Sequence, residues 1–378
     1  MNVLQQLEQQ GQSIWYDNIS RAILRQGELQ RMVDEGVLGL TSNPTIFDKA
    51  ISGSAEYDDQ IRDLVSADPA IDVAGLIQAL MVEDIRAAAD VLSPVYDRTR
   101  GRDGYVSIEV TPSKARDTDG TSAEVRELWS RVGRPNTMIK IPATREGLPA
   151  IAQAIRAGIN INVTLIFSEA RYREVADAYQ SGLEQRLRDG KPLGHVASVA
   201  SVFVSRIDTL VDAQLDTLIA GERDPAEAAR LRGLRGKAAV ANTQMIYQAF
   251  KEIFSSPRFA VMQAAGGVPQ RPLWGSTGAK NPAYHDLLYV DSLIGPHTVN
   301  TVPPQTYAAI IDHGRAEPTI EKNLAEARRL LELLPGAGIR LTHVLQTLED
   351  EGVAAFEKSF DGLYANLAQK KGMLRAVS

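Results

Sequence analysis

The chain has 378 residues, 44% hydrophobic and 23% charged, which is enough for one large core or two ordinary domains. Its formal net charge of −6 excludes the basic field a nucleic-acid partner needs, and no run of about 18 uncharged apolar residues offers a membrane span. The absence of cysteine excludes a disulfide framework, a thiol nucleophile and a zinc–thiolate site.

The first stretch, Met1 to Gln12, is polar and lacks the apolar run of a signal peptide, so the chain reads as cytoplasmic. From there, short β-branched runs alternate with longer stretches of helical period. Strands are predicted at Ser13–Asp17, Val37–Thr41, Tyr105–Val110, Thr137–Ile141, Ile161–Ile166, Val196–Phe203, Arg271–Ser276 and Thr298–Val302. Helices are predicted between them, as at Ala70–Leu92, where Ile71, Ala74, Ile77, Met81, Ile85, Ala88 and Leu92 recur at spacings of three and four. Glu169–Leu187, Ser205–Ala220, Pro225–Phe254, Ile320–Leu334 and Val344–Lys371 follow the same period. Strand–helix alternation implies a parallel sheet, and eight such strands suggest a closed (β/α)8 barrel, α/β in class. The long gaps from Thr41 to Tyr105 and from Phe203 to Arg271 leave room for helical insertions. With no Gly/Ser/Pro-rich linker, residues 1–378 read as a single domain. A doubly wound open sheet is the structural alternative.

Parity within the strands carries the functional signal, because residues two apart share a face. Ser107 and Glu109 lie opposite Val106, Ile108 and Val110; Lys140 lies opposite Ile139 and Ile141; Asn162 and Thr164 oppose three aliphatics. Ser201 and Phe203 share a face, and Asp17 ends the first strand. Catalytic groups of (β/α)8 barrels come from the C-terminal ends of several strands. An uncompensated charge in such an interior costs several kcal/mol, so Glu109, Lys140 and Asp17 are expected to face one another and a polar ligand.

Lys140 is the sharpest of these positions. Burial disfavours the ammonium form of a lysine, which frees its amine to attack a carbonyl. A structural ion pair with Glu109 is the competing reading. Asp17 could instead cap a helix beside Ser20, and Asn43, before Pro44, could simply start a turn or helix.

The segments GLTSNPTIF (Gly39–Phe47), VSIEVTP (Val106–Pro112), MIKIPAT (Met138–Thr144), INVTLIFS (Ile161–Ser168) and SVFVSRID (Ser201–Asp208) together resemble the transaldolase family. The run Trp274–Pro303 is similar to its longer bacterial subgroup. The resemblance spans nearly the whole chain in order. It implies a barrel whose strand order is permuted relative to other Schiff-base aldolases, with Lys140 as the Schiff-base lysine. It gives Glu109 an acid/base role with a water beside Thr164, and Asp17 proton exchange with the substrate C4 hydroxyl. Asn43, Asn162 and Ser201 match positions that hydrogen-bond a dihydroxyacetone unit. Arg206 matches a phosphate-binding arginine. A second such arginine is expected near WGSTGAKN, where this chain offers Lys280, with Ser276 as its hydroxyl neighbour. Lysine lacks the bidentate fork of arginine, so this position departs from the pattern.

The resemblance implies transfer of dihydroxyacetone from sedoheptulose 7-phosphate to glyceraldehyde 3-phosphate, in the pentose phosphate pathway. Phosphorylated ketoses and aldoses are then the partners, neither cofactor nor metal is called for, and a homodimer is the implied assembly. Phe203 is a candidate shield of the intermediate from water, or an ordinary core aromatic. Two alternatives remain: a Schiff-base aldolase releasing free dihydroxyacetone, and a non-catalytic sugar-phosphate-binding barrel. Related short aldolases carry tyrosine where this chain has Phe203, which favours transfer. His195, His285, His297, His313 and His343 include no pair at metal-ligand spacing and read as surface or capping residues. Gly275–Lys280 lacks the spacing of a nucleotide-binding loop.

Overall fold

In the computed structural model, which describes residues 1–376, eight parallel strands close into a barrel in chain order. They are β1 (Gln12–Asp17), β2 (Gly39–Thr41), β3 (Tyr105–Glu109), β4 (Thr137–Pro142), β5 (Ile161–Ile166), β6 (Ser198–Phe203), β7 (Arg271–Gly275) and β8 (Thr298–Val302). Closure is direct: β1 pairs with β8 from Gln12↔Thr298 to Tyr16↔Val302. That ladder overturns the open doubly wound sheet. Outward aliphatics such as Val106, Ile108, Ile139, Ile141, Ile161 and Val163 are fully buried, as a helical coat over a barrel requires.

The strand ends differ from expectation for local reasons. Leu38 still donates its N–H to Ile14, but β2 proper begins at Gly39. A Cβ at Gly39 would stand 2.5 Å from the Trp15 indole, so only glycine lets β2 close on β1 there. β7 stops at Gly275 because Ser276 turns into the left-handed region at φ +54.

The long gaps hold the expected insertions. Helices Pro44–Ser52, Asp58–Ala67 and Val73–Arg98 lie between β2 and β3. Between β6 and β7 lie Ser205–Gly221, Pro225–Arg232, Ala238–Phe254 and Pro257–Ala264. The single helix predicted over Pro225–Phe254 is therefore two: Gly236 takes φ +68, and its N–H turns to Asp212 instead of continuing a helix. Two further boundaries move. The Ala70 helix starts at Val73 under an Asp72 cap, and the Ile320 helix starts at Leu324 after Asn323 in a left-handed conformation. No described helix is long and apolar enough to cross a membrane.

One end of the barrel is sealed by polar side chains. Buried Asp103 accepts from Ser13, Trp15 and Arg271 at 2.8–3.1 Å. The other end is reached by the C-terminal helix, Leu341–Ala376. β5 breaks register against β6 between Val163 and Ile166, and Leu165 there holds φ +61. A left-handed leucine costs about 1–3 kcal/mol. Its side chain lies so close to Gly352 that a Cβ there would approach Leu165 Cδ2 to 2.9 Å. The helix docks on this bulge, and Phe356, one turn on, enters the barrel mouth.

Candidate active site

A cavity of about 600 Å³ opens at the C-terminal ends of the strands. Asp17, Thr41, Lys140, Thr164, Ser201, Phe203 and Leu273 line it from the strands; Asn43, Arg206, Ser276, Lys280 and Phe356 line it from the segments beyond. Strand register sets the chemistry of its floor. Glu109 pairs with Lys140, Lys140 with Asn162, and Pro142 with Thr164, so alternate residues of three neighbouring strands converge inward.

Lys140 is 6% exposed, with Nζ donating to the main-chain carbonyl of Ser42 at 2.9 Å. Glu109 Oε2 stands 3.5 Å from the same nitrogen, an ion pair longer than a good hydrogen bond. The Phe356 ring centroid lies 6.0 Å away on a third side. Beyond that ion pair, neither Glu109 oxygen accepts a hydrogen bond from a described residue, and buried Thr164 Oγ1 also lacks a partner among them. A carboxylate and a hydroxyl with spare capacity beside the amine can hold and relay a proton.

Asp17 accepts from Thr41 Oγ1 at 2.6 Å. That donation uses the only Thr41 hydroxyl proton, so the 2.6 Å contact with Thr301 has Thr301 as donor. Burial raises the pKa of the Asp17 carboxyl, against the opposing pull of Lys140, the Thr41 hydrogen bond and Lys280. Burial likewise raises Glu109, opposed by Lys140 and reinforced by Asp17. Lys140 therefore shares this interior with two carboxyl groups that burial makes reluctant to ionise.

At the far side of the cavity the charge reverses. Arg206, in the first turn of Ser205–Gly221, lies 5.9 Å from the Phe203 ring centroid. Lys280, exposed at the cavity, has its pKa lowered, first by partial desolvation and then by Arg206. Ser276 and Ser205 join the two segments, hydroxyl to hydroxyl at 3.1 Å and Ser205 N–H to the Ser276 carbonyl at 3.1 Å. Two cations and a hydroxyl that line one cavity are a set able to hold an anion.

Nine of the eleven residues expected from sequence line this cavity: Asp17, Asn43, Lys140, Thr164, Ser201, Phe203, Arg206, Ser276 and Lys280. Glu109 reaches it through Lys140. Asn162 points inward but one layer lower. It donates to Ser107 Oγ at 3.1 Å and accepts from Ser201 Oγ at 2.6 Å. Asn43 does cap its helix, accepting from Ile46 N–H at 3.0 Å, and still lines the cavity. For Asp17 the capping role falls to Ser20, which accepts from Ile23 N–H. The sequence reading missed the Ser42 carbonyl, Thr41, Thr301 and Phe356. Threonine parity with Asp17 could have flagged Thr41. Phe356 sits on the same helical stripe as Val353 and Leu363, and nothing in that pattern separates it from core.

The Transaldolase/Fructose-6-phosphate aldolase family model matches residues 14–367. The chain is 46% identical to a transaldolase of Saccharopolyspora erythraea, covering 97% of each chain. It is 49% identical to that of Thermobifida fusca, over 97% of this chain and 98% of the relative. Against the Trichodesmium erythraeum transaldolase it is 44% identical over 100% of this chain and 99% of the relative. With the family model matched from β1 into the C-terminal helix, the chain belongs to the transaldolase/fructose-6-phosphate aldolase family.

Proposed function

We propose that this chain is a transaldolase, one barrel domain that carries a dihydroxyacetone unit from sedoheptulose 7-phosphate to glyceraldehyde 3-phosphate through a Schiff base on Lys140. The observation that carries the reading is a buried amine paired with Glu109, in a cavity whose opposite wall holds Arg206 and Lys280. An extended sugar phosphate needs that polarity: a nucleophile at its ketone and cations at its phosphate.

The steps follow from the placement. The Lys140 amine adds to the C2 carbonyl, and loss of water leaves a protonated imine that withdraws electrons from the C3–C4 bond. Glu109, 3.5 Å from Nζ, gives and takes protons in the addition and dehydration, with Thr164 orienting the water. Asp17, as carboxylate, takes the C4 hydroxyl proton. The C3–C4 bond then breaks, the aldose phosphate leaves, and its electron pair remains in a three-carbon enamine on Lys140. A second aldehyde enters and Asp17 returns the proton. Ser201 and Asn43 hydrogen-bond the retained fragment, with Asn162 holding Ser201 in place; Phe203 keeps water off the enamine. Ser276 and Lys280 join Arg206 on the phosphate. A cytoplasmic homodimer completes the reading, checked by sedimentation of the purified chain.

Borohydride reduction in the presence of fructose 6-phosphate, followed by peptide mass mapping, tests the proposal. A three-carbon adduct is expected on the peptide containing Lys140 and absent in Lys140→Ala. An adduct elsewhere would overturn the role of Lys140. Rapid stoichiometric release of dihydroxyacetone without an acceptor would make the chain an aldolase instead.

A further inference from the structure

We propose that His285, Asp286 and His313 form a binding site for a divalent transition metal of the Zn²⁺ class, outside the catalytic cavity and separate from its chemistry. His285 and Asp286 lie on the segment between β7 and β8 that carries Ser276 and Lys280. His313 ends the helix that follows β8, Pro304–His313. Far apart in sequence, the two histidines show no metal-ligand spacing; the fold sets their rings edge to face with centroids 5.6 Å apart.

The three side chains each offer a ligand atom, and all three atoms lie within 4.8 Å of one another. His313 Nε2 is 3.1 Å and His285 Nδ1 3.4 Å from the same oxygen, Asp286 Oδ1. Ligand bonds of about 2.0–2.2 Å at tetrahedral angles put ligand atoms on the order of 3.3 Å apart. Two of the contacts therefore already have the span a metal needs, and these exposed side chains can close the third by rotation.

A second feature orients the set. Asp312 Oδ2 lies 2.9 Å from His313 Nδ1. A carboxylate on one ring nitrogen fixes the proton there and leaves the other nitrogen, here Nε2, with its lone pair free for a metal beside Asp286. His285 offers Nδ1, which otherwise accepts the Leu287 N–H at 3.2 Å, or Nε2 after a ring flip.

Proton and metal compete for this place. Asp291 lies in electrostatic range of both rings, and Arg315 in range of Asp291. Histidine binds a metal only as the neutral ring, so affinity rises with pH. A metal here would tie two segments that both reach the cavity. Lys280 precedes His285 by five residues, and the His313 helix starts at Pro304, which lines the cavity beside Gln305. The bound ion would steady the Lys280 segment and raise the melting temperature by mass action.

The test uses the purified full chain stripped with chelator and titrated calorimetrically with ZnCl₂ at pH 6 and pH 8. One Zn²⁺ per chain is expected, bound more tightly at pH 8 and with a Zn²⁺-dependent rise in Tm. His313→Ala and Asp286→Asn should each weaken binding at least tenfold and abolish that rise, with circular dichroism unchanged. With Co²⁺ as a second probe, visible d–d absorption should appear in the unmodified chain and vanish in both variants. No saturable Zn²⁺ binding at pH 8, or binding untouched by both substitutions, would overturn the site.

Discussion

Lys140 Nζ is held by the Ser42 main-chain carbonyl at 2.9 Å and, among the described residues, next by Glu109 at 3.5 Å. A carbonyl only accepts, so it fixes the direction of the amine while leaving its chemistry free. Lys140→Arg keeps a cation opposite Glu109 but supplies no nucleophile. Its kcat should fall at least about 1000-fold, on the order of 4 kcal/mol of barrier. Transfer assays paired with borohydride trapping check this; near-normal turnover in the arginine variant would end the Schiff-base reading.

Asp17 separates function from stability. Its carboxylate is partly buried and only partly compensated, so Asp17→Asn removes a desolvation penalty while leaving an oxygen for the Thr41 hydroxyl. We expect kcat to fall by about 10²–10⁴-fold. Thermal stability should hold or rise, within the roughly 0.5–2 kcal/mol typical of relieving active-site strain. Imine formation should survive, because Lys140 and Glu109 remain. A clear drop in Tm would mean that Asp17 is structural.

The same carboxylate sets the acid side of the pH profile. Burial raises its pKa, so the carboxylate needed for C4 proton removal is lost as pH falls through a value above the usual aspartate range. The stability linkage has the opposite sense. A carboxyl raised by folding is most favourable to the native state below its unfolded pKa, and that contribution is lost as pH rises through the folded pKa. A kcat/KM profile of the unmodified chain should therefore bend at higher pH than an ordinary carboxylate gives. The residual activity of Asp17→Asn should lack that bend.

Much of this site was legible because barrel strands leave few choices. A Lys, a Glu and an Asn cannot sit on the helix-facing side of β3, β4 and β5, so alternation alone put Glu109, Lys140 and Asn162 on one inner surface. The eight strands were readable from β-branched runs, whereas the split at Gly236 depended on an N–H claimed by Asp212, a long-range partner no local pattern contains. Phe356 was invisible for the same reason. Its place depends on the Leu165 bulge and the Gly352 contact, which join segments nearly two hundred residues apart. The His285–His313 meeting depends on strand closure at β8.

Phe356 closes over the amine from a helix that could otherwise have packed anywhere. Its ring lies 6.0 Å from Lys140 Nζ and 6.5 Å from the Phe203 ring, so two aromatics wall the enamine. Phe356→Ala opens that wall to water. The enamine carbon should then be protonated more often, raising release of free dihydroxyacetone relative to transfer by roughly tenfold, about 1.4 kcal/mol in partitioning. Counting dihydroxyacetone against aldose product measures it. An unchanged ratio would leave Phe356 as packing alone.

Asp208 offers a test of the frame that holds the phosphate wall. Two residues after Arg206, it is buried and accepts from Ala239 N–H at 2.8 Å and the Tyr289 hydroxyl at 3.0 Å, with no cation among the described residues as partner. Burial first, then neighbouring Asp212, pushes its pKa from the ordinary 3.8 to about 7. The folded chain therefore binds a proton there that the unfolded chain has released, between about pH 4 and pH 7. Stability falls as pH rises across that window, by up to about 4 kcal/mol from this group. Asparagine can keep both contacts, its oxygen on Ala239 N–H and its amide donating to the Tyr289 oxygen. Relative to the unmodified chain in urea, Asp208→Asn should thus gain roughly 1–3 kcal/mol on going from pH 5 to pH 8. Parallel pH dependence in the two proteins would show that Asp208 stays ionised throughout, stabilised by its two donors more than burial penalises it.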